Sequence, residues 1–130
     1  MNTSPLVANG LNSPMAKERM QARISLAVEW AKSNLNKIHS IDQMAEHAYL
    51  SRRSFDRQFR AYMGLSAKDW LTQCRLNLAM QYLSENKLSI GKIARLTGFG
   101  NSNNFRNNFV KLKGLSPSSF RREGCVAVSH

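Results

Sequence analysis

Residues 89–120 read SIGKIARLTGFGNSNNFRNNFVKLKGLSPSSF, and this stretch decides the fold. Ser89 is a capping residue ahead of Ile90, Ile93 and Ala94, apolar residues at helical spacing in a segment ending near Thr97. Gly98-Phe99-Gly100 is a turn signal. A second helical stretch, Ser102 to Lys113, carries Phe105 and Phe109 on one face. Gly114 stops it, and Ser116-Pro117 opens a last short helix to about Arg122. A short helix, a tight turn and a longer polar helix form a helix-turn-helix unit.

The same grammar occurs upstream. At an offset of 50 residues Phe55 matches Phe105, Phe59 matches Phe109, Gly64-Leu65-Ser66 matches Gly114-Leu115-Ser116, and Trp70 matches Phe120. At an offset of 49, Ile41, Met44 and Ala45 match Ile90, Ile93 and Ala94. The one-residue change falls in the turn, where length changes are best tolerated. Ser40-Ile41-Asp42-Gln43 is a capping-box pattern, Tyr49-Leu50 a turn, and Ser51 caps a helix from Arg52 to about Met63. One helix-turn-helix pattern matches many ordinary helix pairs, whereas two copies sharing Phe-x-x-x-Phe and Gly-Leu-Ser are specific. The recurrent aromatics, with Trp70, are expected in the core and not as stacking platforms for bases.

Outward from the repeat, residues 1–13 are rich in Asn, Ser, Pro and Gly and are expected to be a disordered leader. Ser13-Pro14 opens a first amphipathic helix to about Asn34, with Ile24, Ala27, Val28, Ala31 and Leu35 at helical spacing. Ser66 and Asp69 open a long helix with two apolar faces, Trp70, Leu71, Cys74 and Leu78 on one and Leu76, Ala79, Met80 and Leu83 on the other. A helix apolar on two sides packs between two bodies, so it is expected to be a linker. The prediction is an all-α protein of about seven helices. It has a first helix-turn-helix subdomain at 14–65, a linker helix at 66–84, a second subdomain at 85–122 and a tail at 123–130.

The chain has 130 residues and carries 19 Lys and Arg against 8 Asp and Glu, a net charge of +11. Residues 1–50 hold five basic and four acidic side chains, and residues 51–130 hold fourteen and four. A basic excess concentrated on the repeat points to a polyanionic partner, through release of counterions from phosphates. Catalysis on nucleic acid would need clustered carboxylates or a nucleophile beside a base, and the eight acids are scattered. No enzyme, metal site or cofactor is therefore expected. No apolar run approaches a membrane span, and Met1–Gly10 lacks the pattern of a secretory signal. Two distant cysteines, Cys74 and Cys125, fit a reduced compartment, and a cytoplasmic protein without a membrane partner is expected.

Ile93-Ala94, Gly98-Phe99, Asn104-Phe105-Arg106, Phe109, Gly114, Ser116-Pro117 and Phe120-Arg121 together resemble the DNA-binding domain of the AraC/XylS family of bacterial transcription regulators. Similarity covers roughly residues 20–122. It departs from the family pattern at Val110, where many members carry a basic residue, and at Asn107, where many carry Arg. The resemblance implies a monomer binding adjacent major-groove segments of double-stranded DNA, transcription activation and contact with RNA polymerase. In many members the fold is attached to an effector-binding or dimerisation domain. The chain is accordingly expected to be either a stand-alone regulator or the DNA-binding part of a larger, effector-responsive one. A non-specific architectural DNA-binding protein is the alternative.

The recognition helices are expected at about 51–63 and 102–113. Arg53, Arg57 and Asp56 in the first, and Ser102, Asn103, Arg106 and Asn107 in the second, are the candidate base readers. Arg suits guanine O6 and N7, Asn suits adenine N6 and N7, and a carboxylate can accept from cytosine N4. Asp56 can instead pair with Arg52, Arg53 or Arg60. Of the five Asn between 101 and 108, at least two are expected to serve the turn and helix surface, because one face cannot present all five. Ser51, Arg52, Arg60, Lys111, Lys113, Arg121 and Arg122 are candidate phosphate contacts, which position without specifying.

Overall fold

Helix α1, Pro14–Lys32, begins at the proline whose fixed φ suits a first helical position, and it buries Ile24, Ala27, Val28 and Ala31. The computed structural model describes the backbone of residues 14–129 and the side chains of residues 15–123; the expected leader at 1–13 and its Ser13 cap lie outside these. Among the described residues are seven α-helices, one short 3-10 turn and no strand, so the protein is all-α.

Helix α2, Ile41–His47, starts on a complete capping box. The Ser40 hydroxyl accepts from the Asp42 amide at 3.1 Å, and the Gln43 side-chain carbonyl accepts from the Ser40 and His39 amides at 3.1 and 2.6 Å. Such reciprocal caps satisfy amides that the first helical turn leaves open, each worth about 1 kcal/mol. Helix α3, Arg52–Met63, is capped by Ser51, whose hydroxyl accepts from the Ser54 amide at 3.2 Å. Gly64 ends it in the left-handed region at φ 83°. Phe55 and Phe59 are fully buried with ring centroids 5.5 Å apart. They are buried together with the α1 stripe and with Met44, Ala45 and Ala48 of the α2 segment.

The second unit contains α4 (Ala67–Glu85) from Lys68 onward, α5 (Ile90–Thr97), α6 (Ser102–Lys113) and α7 (Pro117–Ser129). Its core joins Leu76, Ala79 and Leu83 of α4 to Ile93 and Ala94 of α5, Phe99 of the turn, and Phe105 and Phe109 of α6. The aromatic rings run in a row, Phe99 to Phe105 at 5.4 Å, Phe105 to Phe109 at 5.7 Å and Phe109 to Phe120 at 5.6 Å. Offset and edge-on contacts at these distances add to what area burial contributes. All six aromatics expected in the core are buried or partly buried.

Three features depart from the sequence reading. The long helix is, from Lys68 onward, an element of the second unit, because one of its apolar faces is a wall of that unit's core. The second unit also takes in Asn34–Ile38, which follows α1 in the chain and contains the 3-10 turn Leu35–Lys37. Arg75 of α4 holds this segment: its Nε and Nη2 donate to the Leu35 carbonyl at 3.2 and 2.9 Å, and Nη2 donates to the Ile38 carbonyl at 2.9 Å. Burial of the Arg75 guanidinium lowers its pKa from the usual arginine value. Finally, α7 runs to Ser129 instead of ending near Arg122 with a tail. The segment 123–129 contains no proline, and one glycine in a helix costs only about 1 kcal/mol.

Candidate nucleic-acid interface

On α3, residues 53, 56, 57 and 60 fall at i, i+3, i+4 and i+7, one face of the helix, while Phe55 and Phe59 occupy the other. Arg53, Asp56, Arg57 and Arg60 are all exposed. Asp56 is taken by a neighbour: Arg52 Nε donates to both of its carboxylate oxygens at 3.1 Å. The Arg52 Nη1 also reaches Asp42 Oδ1 at 3.3 Å. The hydrogen bond to Asp56 is the main cause of a raised Arg52 pKa, so this guanidinium stays charged. Asp56 therefore sits in the ion pair that the sequence left open as an alternative to base reading. The side chains of Arg53, Arg57 and Arg60 have no intramolecular hydrogen bond or ion pair among the described residues.

Helix α6 sorts its asparagines. Asn101 is the cap, its side chain accepting from the Asn104 amide at 2.8 Å. Asn104 Nδ2 donates to the Phe99 carbonyl at 2.9 Å, fastening the turn. Asn108 Nδ2 donates to the Asn104 carbonyl at 2.9 Å and to its Oδ1 at 3.0 Å. Three of the five are thus structural. Asn103 and Asn107 remain, exposed and without an intramolecular partner among the described residues, on the face that also carries Arg106. Ser102 is half-buried at the start of the helix. Val110, noted in the sequence only as a departure from the family pattern, is 45% exposed on the same face, three and four positions beyond Asn107 and Arg106. Its helical spacing was the available signal.

The candidate phosphate contacts divide. Lys111 and Lys113 are exposed near the end of α6, and Arg122 is exposed with Nη2 donating to Ser119 Oγ at 3.2 Å. The exposed Ser51 spends its hydroxyl on capping α3, and Arg52 lies in its carboxylate pairs. Arg121 is different. It is half-buried, Nη2 donates to the Leu88 carbonyl, and Nε is buried without a hydrogen-bond partner. That side chain ties α7 to the segment before α5 and is not grouped with the exposed cations, because its guanidinium is already committed to a backbone carbonyl.

Among the described residues no helix is long and apolar enough to cross a membrane, and no three His, Cys, Asp or Glu side chains converge as a metal site.

A family model described as a helix-turn-helix domain matches residues 44–123. The arabinose operon regulatory protein of Escherichia coli is 30% identical over 119 residues, covering 92% of this chain and 39% of that protein. The transcriptional activator RhaR of Pectobacterium carotovorum is 37% identical over 81 residues, 62% of this chain and 28% of its own. The chain spans less than half the length of these relatives. Among solved structures, the DNA-binding domain of the global transcriptional factor AdpA, in complex with a target DNA, superposes with a TM-score of 0.75. It is 31% identical, and the match covers 78% of this chain and 91% of that one. An AraC-type regulator from Chromobacterium violaceum gives 0.72 at 27% identity, over 80% and 93% of the two chains.

Proposed function

Given that the chain belongs to the AraC-type family of helix-turn-helix DNA-binding proteins, we propose that it regulates transcription by reading a double-stranded DNA site with two recognition helices. Helices α3 and α6 enter adjacent segments of the major groove. The observation that carries this reading is the repeated division of labour on those helices. Each buries a Phe pair on one face and leaves polar or cationic side chains without internal partners on another, Arg53 and Arg57 on α3, with the phosphate candidate Arg60 on the same face, and Asn103, Arg106 and Asn107 on α6. Free donors at groove-facing positions are what base-edge recognition needs. Lys111, Lys113 and Arg122 hold phosphates, and the +11 charge adds a salt-dependent affinity that carries no sequence information. The proposed output is activation, through RNA polymerase, with the protein bound as a monomer in the bacterial cytoplasm. The family is one of DNA-binding regulators, and no catalytic role is proposed.

A second reading is favoured by one observation, that the chain spans only 39% of the E. coli arabinose regulator. On this reading the DNA-binding unit operates within a longer, effector-responsive protein, and the bases it reads are the same.

Selection of binding sites from a random duplex library tests the proposal. A consensus of two short boxes roughly 10 base pairs apart is the expected outcome. Arg57→Ala should relax one box, and Asn103→Ala or Arg106→Ala the other. If no consensus emerges and affinity for every duplex follows salt alone, the protein is a non-specific coating of DNA and the proposal is wrong.

A further inference from the structure

We propose, resting on that reading, that the two units read opposite base compositions: α3 takes a G·C-rich box, and α6 takes an A·T-rich box in which Val110 contacts a thymine methyl group. The two helices occupy equivalent positions in the repeat. Asn101 caps α6 through the Asn104 amide as Ser51 caps α3 through the Ser54 amide, at 2.8 and 3.2 Å. Gly114 and Gly64 close the two helices at φ 81° and 83°, their amides donating to Val110 and Arg60 carbonyls at 2.9 Å in both cases. Both helices are 12 residues long. The same scaffold therefore presents residues 53, 57 and 60 in one unit and 103, 107 and 110 in the other.

The chemistry at those three positions is wholly different. Arg53, Arg57 and Arg60 stand opposite Asn103, Asn107 and Val110 in the repeat, and all six are exposed. A guanidinium has five donors and no acceptor, which matches the two acceptors of guanine. A carboxamide has a donor and an acceptor on one plane, which matches adenine N6 and N7. Valine offers neither. At a groove-facing position it would desolvate a polar base edge without replacing its hydrogen bond, which is unfavourable. The thymine methyl is the one apolar group that the major groove displays. Isolated exposed valines are common on protein surfaces and carry no message by themselves. Val110 differs because it continues the Asn103, Asn107 face and replaces the arginine of the sister helix. Arg106, which stands where α3 has Asp56, is the single cation among residues 103, 106, 107 and 110. It limits the second box to one guanine.

The test uses the intact protein and its selected duplex, with thymines of the A·T-rich box changed one at a time to deoxyuridine, which removes only the 5-methyl group. Wild-type protein should bind one of these duplexes about fourfold more weakly, the value of one buried methyl. Val110→Ala, checked for an unchanged melting temperature, should bind that deoxyuridine duplex and the thymine duplex equally. Two boxes without any deoxyuridine effect, or an effect that persists in Val110→Ala, would overturn this inference and leave the two-helix reader standing. Relaxation of an A·T position by Arg57→Ala would also overturn it. Absence of any consensus would sink the reader itself, and this assignment with it.

Discussion

At Gly98 the backbone is left-handed, φ 100°, and a Cβ placed there would lie 2.2 Å from the Leu35 carbonyl oxygen and 2.5 Å from Arg75 Nε. The strain of φ and the collision act together, and the obstacle includes a backbone oxygen that cannot swing aside. Gly114, at φ 81°, has nothing within 4 Å of a built Cβ. Ala at Gly114 should therefore cost about 1–2 kcal/mol, the left-handed penalty alone. Gly98→Ala should cost more than about 3 kcal/mol, since the Arg75 contacts must also shift. Thermal or urea unfolding of the two variants checks the difference, and equal losses would show that the Leu35 approach does not matter. The sequence marked Gly98 as a turn residue, but the second constraint comes from a carbonyl far away in the chain and leaves no local mark. The same holds for Arg121, whose charge reads as surface until Leu88 is found beside it.

The turns of the two helix pairs solve one geometric problem with different residues. Tyr49 occupies the position matching Gly98 and adopts φ 58° with its side chain 75% exposed. Its carbonyl accepts from Arg23 Nη1 at 3.4 Å, a long bond that offsets little of the strain. Tyr49→Gly should remove about 1–2 kcal/mol of left-handed strain. Set against roughly 0.5–1 kcal/mol of extra chain entropy in the unfolded state, the net is a gain of about 0.5–1 kcal/mol. A melting temperature raised by a few degrees is the expected readout, and a fall would mean that the exposed ring contributes packing. Helix elements were largely legible because caps, Phe pairs and stop glycines are local signals, and both pairs fall where the repeat placed them. The partition of the asparagines was legible only as a number. Which ones fasten the turn depends on the direction each side chain takes from the Asn101 cap, a matter of three-dimensional geometry.

At the scale of the molecule, the boundaries of the two units do not follow the order of the chain. A linker was expected from the two apolar faces of α4, yet the segment 34–38 packs with residues 68 onward. No periodicity could announce this, because Leu35 and Ile38 read equally well as the end of α1 and the approach to α2. A chain of residues 68–130 alone would lose the Arg75 hydrogen bonds to the Leu35 and Ile38 carbonyls and the burial of the Leu35 and Ile38 side chains. Burying one such aliphatic side chain contributes about 1.5–3 kcal/mol, a large share of the stability of a small unit. That fragment should show helical circular dichroism without a cooperative melt, whereas the whole chain should melt cooperatively. A sharp transition in the fragment would show that the segment is dispensable.

The threading of residues 34–38 also has a meaning in time. Leu35 leaves the ribosome 40 residues before Arg75. At about 5–20 residues per second that is an interval of roughly 2–8 s. Helices α1 to α3 can close during the wait, since isolated helical contacts form far faster than synthesis proceeds. The carbonyls of Leu35 and Ile38 meanwhile face water, a template held open for a guanidinium not yet made. The second unit thus completes itself on a piece of chain delivered well before the rest of it.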